Sequence, residues 1–145
     1  MKPATEWRKT ITSTGGFLSS GGAWTDSSDR DAKENFARID TQKILAQVAL
    51  LPITTWHYKN ENDSVRHIGP VAQDFHAVFE VGPDDRHIAA LDANGVALAA
   101  IQGLNQKLEA ELQRRDAENA ELQRELGELK QFVNSLSQTL NGGAR

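Results

Sequence analysis

The sequence contains no cysteine, which excludes disulfide staples and thiolate metal sites and leaves the redox compartment open. It has no basic surplus: 16 Lys and Arg against 20 Asp and Glu give a net charge of −4, so a phosphate-neutralising nucleic-acid surface is not indicated. No apolar run approaches membrane-spanning length, and Met1-Lys2 is not followed by an apolar signal region. Export would therefore need another route, such as virion assembly or a longer parent chain. His57, His76 and His87 lack metal-ligand spacing, and no cofactor or metal is expected.

The chain divides into three compositions. Up to residue 27 it is rich in Thr, Ser and Gly, with Ile11, Phe17, Leu18 and Trp24 interspersed. Gly15-Gly16 and Gly21-Gly22 read as turns between short strands, the β-rich end of a fibre or a strand lacking its partner. Residues 28–95 read as a small α+β domain. Asp40 caps a helix over Thr41–Leu51 with Ile44, Leu45, Val48 and Leu51 on one face, and Pro52 stops it. Ile53–Tyr58 and Val65–Ile68 read as paired strands around a polar turn. Val71, Phe75, Val78 and Phe79 fall at helical spacing, and His87–Leu91 reads as a short strand. Such a core is marginal for an independent domain.

From residue 96 to 141 the pattern is a heptad, followed by a tail over 142–145 expected to be disordered. With Leu98 at position a, the a positions are Leu98, Asn105, Leu112, Asn119, Leu126, Val133 and Leu140. The d positions are Ile101, Leu108, Arg115, Leu122, Leu129 and Leu136, so ten of thirteen seam positions are apolar. A helix folded back on the small domain is the alternative, but a helix this long outreaches so small a head. Leu104 and Phe132 at g widen the stripe toward more than two strands, whereas Asn119 at a is familiar in parallel dimers. Between copies, Glu125 at g attracts Lys130 at e, while Glu111 and Asp116 repel. The seam leaves dimer and trimer both open.

Three ordered motifs carry a resemblance. Ser28-Asp29-Arg30-Asp31-Ala32-Lys33-Glu34-Asn35 resembles the S-D-x-x-x-K-E-N signature of the peptidase S74 family. These are the intramolecular chaperone auto-processing domains of phage endosialidases, tail spikes and bacterial tail-fibre-like proteins. Arg66 to Asp74 resembles the family's R-x-I-G-x-x-A-Q-E stretch, with Pro70 and Asp74 departing from it. Ala90 to Gly95 and Ala99 to Asn105 resemble its closing L-D-x-x-G and A-I-Q-x-L-N.

The resemblance implies a homotrimeric chaperone for an upstream spike or fibre client, released by a Ser–Lys dyad during virion assembly. Ser28 is then the nucleophile, Lys33 the base and Ser27–Ser28 the scissile bond. His67, Asn35 and Gln73 are auxiliary candidates. The expected place of action is the bacterial host cytoplasm during assembly, and association with the virion before release. No nucleic acid or membrane partner is implied. A spacing of five puts the pair about 140° apart on a regular helix, so they must meet across a turn. Lysine acts as a base only when neutral, which requires lowering its ordinary pKa of about 10.4 by burial or nearby cations. Two rival classes are a non-cleaving oligomerisation cap and a generic coiled-coil adaptor. Read alone, Ser28-Asp29 is a helix cap.

Overall fold

Asp40 ends an extended stretch and turns the chain into α1 (Thr41–Leu50), its carboxylate accepting from the backbone N–H of Gln42 and Lys43, each at 3.0 Å. In the computed structural model, which describes residues 12–142, α1 is one of three α-helices set among two short β-hairpins. Ile11 and the tail beyond residue 142 lie outside the described residues. The first hairpin pairs β1 (Phe17–Leu18) with β2 (Trp24–Thr25), antiparallel, around the turn at Gly21-Gly22. The second pairs β3 (Thr54–Trp56) with β4 (His67–Gly69), in the register Thr54–Gly69, Thr55–Ile68 and Trp56–His67. Then come α2 (Ala72–Phe79) and α3 (Ala90–Gly142).

The expected strand over His87–Leu91 does not form. Asp84 accepts from the N–H of Arg86 at 2.8 Å and of His87 at 2.9 Å, which winds the segment into a turn. Asp92 and Ala93 then both donate to the Ala89 carbonyl, so α3 starts at Ala90, before the heptad begins. Gly95 does not interrupt it. The result is one helix of 53 residues, about 80 Å long at 1.5 Å per residue.

Burial is sparse. Among the described residues only Leu51, Phe75, Ala99 and Ala100 are buried apolar side chains, and none is fully buried. Phe75 and Phe79 pack at 4.9 Å between ring centroids, and Gln47 Nε2 ties α1 to α2 through the Val78 carbonyl at 2.8 Å. The closest approach is α1 on α3, at Gly103. A Cβ there would lie 2.3 Å from the Thr41 carbonyl oxygen and 3.1 Å from Leu45 Cβ, so only glycine admits the contact. Gln42 Nε2 donates to the Gly103 carbonyl at 2.6 Å, and Thr41 Oγ1 to Gln106 Oε1 at 2.9 Å.

Which face of α3 the head occupies decides what is left over. Gly103 lies about 170° around the helix from the mid-line between Leu98 and Ile101, taking about 100° per residue. The head therefore sits on the back of the helix, among Ala99, Ala100 and Gly103. At the head's level Leu98 and Ile101 stay bare, 64% and 62% exposed, while Leu108 borders an open groove with Leu45, Ala46 and Ala49 of α1. The seam leucines beyond the head are exposed as well.

Candidate functional site

The chain leaves β2 through Asp26, whose carboxylate accepts from Trp24 Nε1 at 2.6 Å. Ser27 follows beside Gly15, where the backbone has φ +93° and a Cβ would meet Ser27 Oγ at 3.7 Å. The Ser27–Ser28 bond thus joins the first hairpin to everything after it. Past Ser28, Asp29 caps a single 3-10 turn (Arg30–Ala32), its side chain accepting from the Asp31 N–H at 3.0 Å. Lys33 closes that turn by donating its backbone N–H to the Arg30 carbonyl at 3.1 Å. A 3-10 turn advances about three residues per revolution, and this one, followed by extended backbone at Lys33, returns the lysine side chain toward the turn's start. Lys33 Nζ donates to Ser28 Oγ at 2.6 Å.

Two further features shape the loop. Asn35 takes a left-handed conformation, φ +57°, which bends the chain two residues after the lysine. The Arg30 guanidinium then lies 5.2 Å from the centroid of the Phe36 ring, a cation–π contact closing the loop from outside. In the sequence Arg30 and Phe36 carry no role of their own, since such a contact has no spacing signature. The helix-cap reading of Ser28-Asp29 is half met: Asp29 does the capping, and Ser28 Oγ is left to Lys33.

Ser28 and Lys33 are both exposed on the single protomer. Among the described residues no hydrogen bond reaches the Ser27 carbonyl oxygen. Of the auxiliary candidates, Asn35 lies in this loop, whereas His67 belongs to β4 and Gln73 to α2. His67 stacks on Trp56, opposite it in the second hairpin, at 4.8 Å, and its Nε2 meets Glu61 Oε2 at 3.0 Å. Glu61 also accepts from the Tyr58 N–H at 3.2 Å; the His67 contact first, then that N–H, holds its carboxyl below the usual glutamate range. Among the described residues no hydrogen bond links His67 to Ser28 or Lys33, and Asn35 and Gln73 make no side-chain hydrogen bond. Gln73 lines an open cavity of about 390 Å³ with Trp56, Tyr58 and Arg86. Glu61 is the residue the sequence did not flag, because its role depends on the hairpin bringing it back to His67.

No group of three His, Asp or Glu side chains among the described residues could hold a metal, and no described helix is long and apolar enough to cross a membrane. No curated protein matches the chain. Residues 28–82, starting at Ser28 itself and ending after α2, match the peptidase S74 family, chaperone of endosialidase, the family that the motifs resemble.

Proposed function

We propose that this chain is an intramolecular chaperone that trimerises through α3, aligns an upstream spike or fibre client, and then releases itself by cutting Ser27–Ser28. The observation that carries the reading is the 2.6 Å contact between Lys33 Nζ and Ser28 Oγ, at the residue where the family match begins. The chaperone role is supported by that match, and the release step by the dyad.

The chemistry follows from the positions. A neutral Lys33 takes the Ser28 hydroxyl proton as Oγ attacks the Ser27 carbonyl carbon. The Ser27–Ser28 C–N bond breaks, and the proton passes to the departing Ser28 nitrogen, leaving Ser27 esterified to Ser28 Oγ. Water hydrolyses the ester to a Ser27 carboxylate and a free Ser28 hydroxyl. The single protomer lacks two requirements, shelter of Ser28 and Lys33 from water and donors for the oxyanion developing on Ser27. A neighbouring copy packed over the dyad would exclude water and supply donors, so cleavage waits for assembly.

The association is driven by the bare seam. Each seam leucine buried contributes about 1.5–3 kcal/mol, whereas a water-exposed helical ion pair such as Arg124 with Glu121 adds little. Apolar burial decides assembly. Two variants test the coupling by mass spectrometry of freshly expressed chain. Lys33→Arg keeps the charge, so it assembles and remains whole. Leu126→Asp with Leu129→Asp breaks the seam and leaves the dyad uncut. A monomeric seam variant that processes at the normal rate overturns the coupling. The exposure of the dyad favours a second reading, a non-cleaving cap. An intact mass for the assembled parent chain selects that one.

A further inference from the structure

The apolar seam is broken at its middle. Arg115 holds a d position and Asn119 the next a position, between Leu112 and Leu122. Arg115 Nε donates to Glu111 Oε1 at 3.0 Å, and among the described residues its four remaining N–H groups have no partner. Glu111 is also held by Arg114, at 2.6 Å from Nη2. Asp116 and Asn119 have no side-chain hydrogen bond among the described residues. Resting on the reading that α3 associates with copies of itself, we infer that Arg115 forms a register-setting belt, bridging its own Glu111 to Asp116 of a second copy.

The placement follows from parallel geometry. In register, Glu111 at g faces Asp116 at e of the next copy, two like charges that would repel. Arg115 at d lies between them. It already holds the Glu111 side, and its unspent guanidinium nitrogens provide the fork a second carboxylate takes. Leucine layers set no register, because a slip of one heptad exchanges leucine for leucine, so register falls to the polar seam positions, Asn105 and Asn119 at a and Arg115 at d. Arg115 is the charged one among them. Slipped by one heptad it faces Leu108 or Leu122 and leaves a charge unpaired among apolar side chains. A slip also moves one head along the axis by about 10 Å, at 1.5 Å per residue, separating each dyad from the copy meant to cover it. The belt therefore aligns the heads. The seam supplies the affinity.

The absence of native cysteine makes the test direct. Leu140→Cys and Val133→Cys chains, one heptad apart, are mixed at full length in glutathione buffer, where thiol exchange reaches equilibrium. With Arg115 present each variant links to its own kind and few mixed links form. Adding Arg115→Leu to both raises the mixed fraction by about tenfold, the ratio equivalent to ~1.4 kcal/mol. Melting gives the sign a second time. Arg115→Leu melts higher, because an apolar layer replaces a charged one, whereas Glu111→Gln melts lower, because Arg115 loses its counter-charge. An unchanged link pattern, or a lower melting point for Arg115→Leu, overturns the belt while leaving association standing. A parent chain that sediments as a monomer overturns association and the belt with it.

Discussion

Gly103→Ala adds one methyl group at the point where head and helix touch. The new Cβ would stand 2.3 Å from the Thr41 carbonyl oxygen, and an ordinary contact starts at 3.4 Å, so α1 must retreat by about 1.1 Å. The obstacle is backbone, and no rotamer change relieves it. Retreat on that scale costs about 1–3 kcal/mol in repacking. It also breaks the Gln42–Gly103 and Thr41–Gln106 hydrogen bonds, about 1 kcal/mol each. Alanine returns about 1 kcal/mol through helix propensity. The balance is about 2–4 kcal/mol of destabilisation, which lowers the melting midpoint of the head by roughly 10 °C or more. Tryptophan fluorescence reads it cleanly once Trp7→Phe and Trp24→Phe leave Trp56, in the head, as the reporter. The matched control is Gly127→Ala in the same helix, where a Cβ meets nothing within 4 Å. That variant gains up to about 1 kcal/mol. A Gly103→Ala protein that melts at or above the parent refutes the packing described for α1 on α3. Because α1 follows directly from the dyad loop, the same variant is also expected to slow cleavage.

Ser28→Ala is expected to abolish processing without unfolding the head, since it removes one exposed hydroxyl; intact mass and an unchanged melting curve check both parts. Cleaved product from it would show that another group is the nucleophile. Truncation after Asp116 removes six of the ten apolar seam residues and should leave a chain that sediments as a monomer at concentrations where the parent is associated. Glu61 has its pKa depressed in the folded hairpin, chiefly by His67. Its contribution is therefore present above the unfolded glutamate pKa and is lost as pH falls through the lower folded value. Glu61→Gln should flatten the acid limb of hairpin stability, read by the chemical shifts of Trp56 and His67 across a pH titration.

The local chemistry was legible in the residues. Asp40 before an apolar-periodic run and Pro52 after it specify α1, because capping and chain termination act within a few residues. The Ser28 to Asn35 string contained both partners of the Lys33–Ser28 hydrogen bond, and the heptad marked an apolar stripe on a helix that starts earlier than the heptad, at Ala90. His87–Leu91 looked like a strand because Ile88 to Leu91 is a short apolar run just after a loop sequence, Gly82-Pro83-Asp84-Asp85. The Asp84 side chain, reaching back to two backbone N–H groups, settled it as a turn. What only the tertiary structure decided is which surfaces face each other. Gly103 reads as an unremarkable helical glycine until Thr41 is seen against it. Glu61 reads as a loop acid until the β3–β4 register puts His67 beside Trp56 and brings Glu61 into reach. Most of all, the head could have covered the seam or left it bare, since α3 offers apolar residues on both sides. Packing chose the face of Ala99, Ala100 and Gly103, where small side chains let two helix backbones approach, and so left the larger leucines free.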